Sequence, residues 1–546
     1  MLNISEAAKN EFGKKSSTKT VSITIKTSKK TINIDARQII QESMVLEESI
    51  MDSNDLEIIG CQSSKFEIEI AGINDDIKNA EISVSINASE TEDVPLFFGY
   101  IDSAESTGNK KRKKIVAYDY LNKLGDSEIG DVDWDWYNTL SFPMSIGDFR
   151  YNLFTKLKND FGLDQEDVPL PADSFITRGL DDRVYNPNII YSDGDYCKYN
   201  NNQWYYRIVS TGKADGTQFD FGNWSLIKNF SFFVSYQKGE KIIKNKRVYN
   251  CIVENSTKQK FLLSEWELME IDVSDYQDED TVYLDLLKEI CQINVAFGIV
   301  GRNKKFKYLY PNFLGIDNGF YPGTTSYLPL LPTNIILENS DSTSICDEIY
   351  YPHYKTLDYE EFKIKKITKV ILREYQKDKN KASAGDGKCK YIIQSNMFIK
   401  DIAKGERVSL ATEILNVVNG LSYTPFEATT DGLPYVECGD SVSFYAYDFE
   451  QSQKQGKDVF VLKNYIVFKR VLSGIQNLMD EMSANGTKGN VHISGESNRG
   501  AESNANDRIN NLEKNQLQVL SVDELPKDAK EHTNTIYLIR GEVTVT

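Results

Sequence analysis

The stretch Ile82-Ser-Val-Ser-Ile86 alternates apolar with polar residues, which is the pattern of a strand that buries one face. Runs of the same kind in the first part of the chain are Val21–Ile25, Phe66–Ile70 and Ile115–Tyr118. Aromatic residues make up 11% of the chain, whereas it holds only 13 prolines, a composition typical of strands and hairpins. We therefore expect a mainly β protein with minor α, in which residues 1–125 form a first β-domain, a barrel or a sandwich.

Strand patterns return near the other end of the chain, where we assign residues 346–486 to a second β-domain. The runs are Phe362–Ile364, Thr368–Leu372, Tyr391–Ile393, Ser441–Phe444, Val459–Val461 and Tyr465–Phe468. A single helix is predicted there, near Val408–Val418. At 546 residues the chain is too long for one core, so several domains are expected.

Between the two β-domains the apolar residues take helical spacing. One predicted helix begins after the capping residue Ser145 and carries Phe149, Leu153, Phe154 and Leu157 on one face. A second predicted helix runs from Val282 to Ile290. Residues 126–183 and 273–345 are therefore predicted to form one connecting domain of mixed α/β structure, interrupted by an insertion.

The insertion reads as one small unit written twice, with a period of roughly forty residues. The first copy contains Tyr191-Ser-Asp-Gly-Asp195, Trp204–Val209 and Trp224-Ser-Leu226, and the second contains Tyr236-Gln-Lys-Gly-Glu240, Val248–Val253 and Trp266-Glu-Leu268. Each copy holds two short β runs around a polar turn and closes on a tryptophan. We predict two small β modules, residues 184–230 and 231–272, placed at a surface loop where chains tolerate insertions.

The modules hold three of the five tryptophans of the chain, Trp204, Trp224 and Trp266. A flat aromatic ring can stack on the C–H face of a sugar, but a unit of forty residues also needs its aromatic side chains as a core. The recurrence of Trp224 and Trp266 at one place in both copies favours packing. For Trp204, Tyr205, Tyr206 and Tyr249, which lie beside the hairpin turn, both interpretations stay open.

Charge and cysteine content exclude several classes of function. The chain has 63 Lys+Arg against 81 Asp+Glu, a net charge of −18, so we expect no tight binding of nucleic acid. Its seven cysteines form no CxxC pair, which favours synthesis in a reducing cytoplasm over a disulfide framework. We expect no signal peptide, because the first residues lack a basic region followed by an apolar one, and no stable membrane insertion, because no apolar run approaches the length of a membrane span.

Catalytic and metal-binding motifs are missing from the sequence. The only histidines are His353, His492 and His532, and no HExxH, GxSxG or P-loop occurs. The stretch Asp131–Phe142 imitates the start of a calcium loop but has Trp136 and Phe142 at the positions of the required Gly and Glu. We predict no enzyme, no metal and no cofactor, while a glycosidase, which needs only two carboxylates, stays open.

The last sixty residues differ in composition. Residues 487–507 are rich in Gly, Ser, Asn and Ala and are predicted to be a flexible linker. In residues 508–546, Ile509 and Leu512 fall at a and d positions of a short coiled coil, and Thr535–Ile539 is a strand of a module that is cut short.

The two modules resemble small carbohydrate-binding modules of the chitin-binding type, whose start has a Gly-Asp before a strand and whose end has a Trp. This resemblance implies that Trp204, Tyr205 and Tyr249 stack on a glycan, with Trp224 and Trp266 as contributors. The second copy departs from the pattern, since it has Glu240 for Asp and Val248 where the first copy has Trp204. Its binding should be weaker.

The rest of the chain resembles the tail-tip hub of phages and prophages of Gram-positive bacteria. The matching stretches are Leu96–Asp102 with Ile115–Asp119, Phe142–Leu157, Ile290–Tyr310, Gly432–Asp440, and Arg470–Leu478 with Ser483–Gly486. The resemblance implies two β-barrel-like hub domains in a homotrimer that closes the tail tube in the baseplate, with tube proteins above and the tape measure protein inside. An acidic conduit suits the passage of DNA, and the coiled coil fits a trimeric stalk.

Two functional hypotheses follow. The first is a structural hub of a phage tail, made in the host cytoplasm, that also binds host cell-wall saccharide. The second is a secreted glycan hydrolase with accessory carbohydrate-binding modules. A trimer without turnover of wall polymer is expected only from the first.

Overall fold

The structure of the chain is a computed structural model. It describes residues 2, 4–14, 16–51, 56, 58, 61–107, 111–177, 185, 195–200, 203–208, 219–244, 247–256, 261–272, 281–309, 347–349, 354–373, 381–399, 402, 404–419, 421–447, 450, 453–454, 456, 460–489, 491–494, 518–522 and 535–539.

The helices of these residues are few, as the sequence predicts. They are α1 (Glu6–Phe12), α2 (Tyr120–Leu124), α3 (Trp134–Asn138), α4 (Ile146–Phe161), α5 (Tyr283–Ile293) and α6 (Lys404–Val418). The predicted helix after Ser145 is confirmed as α4: the Ser145 hydroxyl accepts a hydrogen bond from the Asp148 N–H at 2.9 Å, and the helix ends at Gly162 with a φ of 75°. The helices predicted after Val282 and near Val408 are confirmed as α5 and α6.

Strands dominate the fold. Those before the insertion are β1 (Lys19–Lys26), β2 (Thr31–Ile34), β3 (Val45–Ser49), β4 (Lys65–Ala71), β5 (Glu81–Ala88), β6 (Val94–Thr107), β7 (Arg112–Tyr118), β8 (Met144–Ser145), β9 (Asp164–Gln165) and β10 (Ile176–Thr177). Those of the insertion are β11 (Tyr196–Tyr199), β12 (Gln203–Arg207), β13 (Trp224–Leu226), β14 (Lys228–Asn229), β15 (Lys241–Lys244), β16 (Arg247–Cys251) and β17 (Trp266–Asp272).

The strands after the insertion complete the fold. They are β18 (Phe297–Val300), β19 (Lys305–Leu309), β20 (Asp347–Ile349), β21 (Tyr354–Tyr359), β22 (Lys369–Arg373), β23 (Ala382–Ala384), β24 (Lys390–Gln394), β25 (Phe426–Asp431), β26 (Ser441–Tyr447), β27 (Phe460–Ile466), β28 (Lys469–Ser473), β29 (Met479–Ala484), β30 (Val491–Ser494), β31 (Gln518–Val522) and β32 (Thr535–Ile539). The predicted class, mainly β with minor α, is confirmed.

One antiparallel sheet of eleven strands joins the first and last parts of the chain. Its order is β2-β1-β5-β6-β7-β4-β3-β28-β29-β25-β21, so it is open at β2 and at β21. The seam is the pair β3–β28, in which Leu46 lies opposite Leu472 and Glu48 opposite Arg470. The pair β3–β28 thus joins the two halves of the sheet, and the edge strands β2 and β21 do not pair with each other. No closed barrel therefore forms among the described residues, contrary to the barrel-like form that the resemblance implies.

A cluster of buried charges lies at this seam, and we call Glu48, Arg302, Glu437, Arg470 and Asp480 the junction cluster. Arg470 is fully buried, and its guanidinium donates to both carboxylate oxygens of Asp480 at 2.7 to 3.0 Å and to Glu48 at 3.3 Å. Arg302 donates to the same Glu48 carboxylate at 3.1 Å. Two arginines from distant segments therefore share one glutamate of β3.

The loop between β25 and β26 supplies backbone acceptors to both arginines of the junction cluster. Arg470 donates to the carbonyl of Leu433 at 2.7 Å and also to that of Val436. Arg302 donates to the same Val436 carbonyl at 3.1 Å and also to the carbonyl of Pro434. Burial pushes the pKa of Glu437 upward, but Arg302 and Lys307 outweigh it and hold that pKa below its usual range.

The segments that flank the insertion pack against each other. The rings of Phe154 in α4 and Phe306 in β19 lie 5.3 Å apart, and β9 pairs in parallel with β19. Val282 forms a bridge with Asp131 where the chain returns from the insertion. Before the insertion, β10 pairs with β8. The two flanking segments therefore form one framework, and the module pair is inserted between them.

The tail of the chain departs from the prediction at one strand. Val491–Ser494 forms β30, which pairs in parallel with β24, so the flexible linker predicted for residues 487–507 does not extend over these four residues. The predicted strand Thr535–Ile539 is confirmed as β32, paired with β31. The coiled-coil positions Ile509 and Leu512 lie outside the described residues. The domain boundaries stay a prediction.

Arg470→Met is expected to lower the free energy of unfolding by about 3–5 kcal/mol, because it leaves the Asp480 carboxylate buried without its main partner. The double variant Arg470→Met/Asp480→Leu should recover part of this loss, since both charges are then gone. Urea denaturation measures all three proteins. Lys26→Met, which breaks an exposed ion pair with Glu81 of 3.7 Å, serves as control and should change stability by less than about 1 kcal/mol. Equal losses of unfolding free energy in Arg470→Met and Lys26→Met would contradict the role of the junction cluster.

Asp119 gives the fold a pH dependence. Its carboxylate caps α2 and accepts hydrogen bonds from the Leu121 N–H, the Ser64 N–H and the Ser63 hydroxyl at 2.8 to 2.9 Å. Burial nevertheless raises the pKa of Asp119 from 3.8 to about 6. The folded protein thus holds this proton more tightly than the unfolded chain, so stability falls as the pH rises from about 4 to about 6.

Asp119→Asn removes this titration. The wild type should lose about 3 kcal/mol relative to the variant between pH 4 and pH 7, since each pKa unit corresponds to about 1.4 kcal/mol. Urea denaturation of both proteins across this range gives the difference in unfolding free energy. A difference that does not vary with pH would show that Asp119 is ionised without penalty in the folded protein.

Candidate binding surface on the inserted module pair

The two copies of the repeat form two small antiparallel hairpin sheets in the same register. In the first, Tyr205 lies opposite Leu226 and Arg207 opposite Trp224. In the second, Tyr249 lies opposite Leu268 and Cys251 opposite Trp266. The repeat predicted from the sequence is therefore confirmed strand by strand, and the second sheet adds the short parallel strand β14.

A phenylalanine organises the aromatic core of each module. The ring of Phe219 stacks on Trp224 at 5.4 Å and meets Tyr205 edge-on at 5.0 Å. The ring of Phe261 stacks on Trp266 at 5.5 Å and meets Tyr249 edge-on at 4.9 Å. The same arrangement of three rings thus recurs in both copies, with centroid separations typical of favourable aromatic pairs.

A further aromatic residue opens each copy. Tyr185 lies edge-on to Phe219 at 5.0 Å, and its N–H donates to the Lys198 carbonyl at 2.8 Å. Phe230 lies edge-on to Phe261 at 5.2 Å, and its N–H donates to the Ile243 carbonyl at 2.8 Å. The structural repeat therefore begins at Tyr185 and Phe230, ahead of the motifs that define it in the sequence.

The second face of each sheet packs against the other module. Trp204 of the first copy, Val248 of the second and Ile227 from the connection between them form one buried cluster. Trp204 and Val248 occupy equivalent positions in the two copies, so a position at which the copies differ lies at their contact. The ammonium of Lys241 adds a cation–π contact 4.0 Å from the Tyr206 ring.

All five residues predicted to bind saccharide are buried. Trp204, Tyr205, Tyr249, Trp224 and Trp266 are 7%, 6%, 5%, 4% and 5% exposed. Trp204, Tyr205 and Tyr249 present no flat faces at the surface, because each sheet is covered on one side by its own rings and on the other by the neighbouring module. Packing explains all five side chains, and their contact with a saccharide stays a prediction.

Sequence reasoning missed Phe219 and Phe261, although a signal for them exists. Each lies five residues before the closing tryptophan, in Phe219-Asp-Phe-Gly-Asn-Trp224 and Phe261-Leu-Leu-Ser-Glu-Trp266. The other missed feature is the set of apolar side chains that the modules leave exposed. These are Ile208, Phe221, Leu226, Phe232, Phe233, Val234 and Ile252.

Tyr191 and Gly194, expected to frame the entry turn of the first copy, lie outside the described residues. Their counterparts in the second copy do frame a turn. Gly239 has a φ of 89°, a conformation that favours glycine. Tyr236 is buried beside this turn.

The described residues contain no group of three or more His, Cys, Asp or Glu side chains placed to hold a metal ion. Asp133, in the stretch that imitates a calcium loop, instead caps α3 and binds the Lys156 ammonium at 2.6 Å. Among the helices described, none is long and apolar enough to cross a membrane.

Among the solved structures that are similar to this chain are two of tail proteins. The tail protein from Neisseria meningitidis MC58 has 9% identity and a TM-score of 0.36, over 86% of this chain and 96% of that one. The 43 kDa tail protein of prophage MuSo2 from Shewanella oneidensis has 9% identity and a TM-score of 0.35, over 85% of this chain and 97% of that one. No protein-family model and no curated protein matches the chain.

Phe261→Ala should destabilise the second module by about 3–5 kcal/mol, because it removes the ring on which Trp266 and Tyr249 pack. Native-state hydrogen exchange of the full chain measures this loss at the amides of β15 and β16. Phe221→Ala removes a ring that is 57% exposed and serves as control, with little expected change. Unchanged exchange in Phe261→Ala would mean that the module does not depend on its three-ring core.

Proposed function

We propose that the chain is a structural protein of a phage or prophage-derived tail, the hub at the distal tip, and that it acts as a homotrimer that closes the tail tube. In this role it contacts tube proteins and the tape measure protein, and the module pair contributes binding to host cell-wall saccharide. The proposal includes no catalytic step and no cofactor.

The observation that carries the proposal is the meeting of the hub-like stretches at the junction cluster. Ile290–Tyr310 supplies Arg302, Gly432–Asp440 supplies the backbone acceptors, and Arg470–Leu478 supplies Arg470. Three of the stretches that resemble a tail hub therefore contact one another at the junction cluster. Such a cluster suits a subunit of a rigid ring, since buried ion pairs hold distant segments in one fixed arrangement.

The charge of the chain and the position of the insertion also support this role. A net charge of −18 suits a conduit through which DNA slides without being held. The module pair leaves the framework between β10 and α5 and packs within itself through its own three aromatic clusters. It can therefore present a surface to a host without disturbing the ring.

In solution the recombinant chain should have three times its monomer mass of 62.2 kDa. Light scattering coupled to size exclusion measures this mass over a range of concentrations. A strict monomer that hydrolyses wall polymer would favour the alternative, a glycan hydrolase with accessory binding modules, and would overturn the hub assignment.

Purified walls of a Gram-positive host should retain the full chain, and soluble wall saccharide should compete with this retention. A variant in which a short Gly/Ser linker replaces residues 184–272 should lose retention but keep its trimeric mass, because the insertion has its own cores. Retention that survives this deletion would remove the saccharide assignment and leave the hub assignment intact.

A further inference from the structure

The second module carries an apolar tip at the surface, formed by Phe232, Phe233 and Val234. These three consecutive side chains are 51%, 84% and 47% exposed. Exposed apolar side chains in a contiguous group mark interaction sites more often than isolated ones do.

The tip is held in place on both sides by Tyr236. The Tyr236 hydroxyl accepts a hydrogen bond from the Ser231 N–H at 2.7 Å and donates to the Asn229 carbonyl at 3.3 Å. The Tyr236 N–H donates to the Ser256 hydroxyl at 2.8 Å, and the Ser256 N–H returns a bond to the Tyr236 carbonyl at 2.9 Å. The apolar tip therefore projects from an anchored turn.

The segment that carries the tip is basic in a chain that is acidic overall. Between Lys228 and Glu254 the sequence has six basic and two acidic residues, a net charge of +4 against −18 for the whole chain. One basic charge is neutralised where Lys228 binds Glu240 at 2.6 Å. The excess of positive charge favours an anionic partner.

Two of these cations, Lys244 and Lys238, are connected to the tip by ring contacts or by the chain itself. A chain of ring contacts runs from Phe232 to Phe230 at 5.0 Å and from Phe230 to Phe261 at 5.2 Å, and the Lys244 ammonium lies 4.4 Å from the Phe261 centroid. Lys238 is exposed four residues after Val234. The apolar tip, Lys238 and Lys244 thus belong to the same basic segment of the second module, which we call the patch.

The first copy of the repeat has no equivalent tip in its sequence. Where the second copy reads Phe230-Ser-Phe-Phe-Val-Ser-Tyr236, the first reads Tyr185-Asn-Pro-Asn-Ile-Ile-Tyr191. Pro187 and Asn188 stand where the second copy has Phe232 and Phe233. Ile189 stands where the second copy has Val234, so only the two rings lack a counterpart. Because the framework residues recur and Phe232 and Phe233 do not, these two rings serve a purpose other than folding of the module.

From this patch we infer that Phe232, Phe233 and Val234 insert into the surface of a lipid bilayer with anionic headgroups, while Lys238 and Lys244 lie near the phosphates. Apolar side chains at the acyl boundary with lysines behind them are the combination that binds such surfaces. A saccharide site would need polar side chains that fix hydroxyl groups beside the rings, and the tip itself consists of two phenylalanines and a valine. The inference goes beyond the proposed function and does not depend on it, since vesicles contain neither wall polymer nor tail proteins.

Sedimentation of the full chain with vesicles tests the inference. Binding is expected to vesicles of phosphatidylcholine with phosphatidylglycerol, to weaken with added salt, and to be much weaker with phosphatidylcholine alone. Phe233→Ser should weaken binding on the order of tenfold or more, because it removes the most exposed ring from the acyl boundary. Lys238→Gln should weaken it several-fold and reduce its salt dependence.

Phe221→Ser serves as the matched control, because it removes an exposed ring of the first module. It should bind vesicles as the wild type does. Absence of binding to anionic vesicles, or equal binding by Phe233→Ser and wild type, would overturn the inference. The inference would also be overturned if the wild type did not bind vesicles and Phe233→Ser lost retention on purified walls, since the tip would then contact wall polymer. A lower solution mass of Phe233→Ser would instead assign the tip to a contact between copies of the chain.

Discussion

The fully buried ion pair between Arg470 and Asp480 is the constraint around which the framework is arranged. Arg470 also reaches Glu48, which is directly opposite on β3, and Glu48 in turn binds Arg302. Desolvation raises the pKa of the Asp480 carboxyl, and the charge of Arg470 opposes this rise. Such a network is satisfied only when all its segments are present together, so it selects one arrangement of the chain rather than merely adding stability.

The module pair is held together by the packing of aromatic rings and not by buried charges. Each module is too small for an aliphatic core and instead packs three aromatic side chains against one face of its sheet. The two modules then cover each other's remaining faces through Trp204 and Val248. A large residue in one copy and a small one in the other let two similar sheets fit together, which explains why the copies diverge at this position.

Local features of the chain were predictable and distant ones were not. Ser145 and the helical spacing of Phe149 and Leu153 predict α4 because capping and periodicity act within a few residues. The pairing of β3 with β28 could not be predicted, since alternation tells which face of a strand is buried but not which strand lies beside it. The repeated tryptophans predicted the modules, yet a tryptophan suits a core and a sugar platform equally, so its exposure depended on packing. Strand β30 was missed because its four residues lie in a stretch whose composition is that of a linker.

The seam between β3 and β28 also has a consequence for biosynthesis. Glu48 and Arg470 are separated by 422 positions in the sequence, so β3 emerges from the ribosome long before its partner exists. Until then one edge of β3 has unpaired backbone groups and Glu48 lacks Arg470. Contacts of such long range form slowly, and a partly made sheet with a free edge is prone to pair with other chains. The framework can therefore be completed only after β28 has been synthesised, and the acidic charge of the chain helps to keep unfinished copies apart until then.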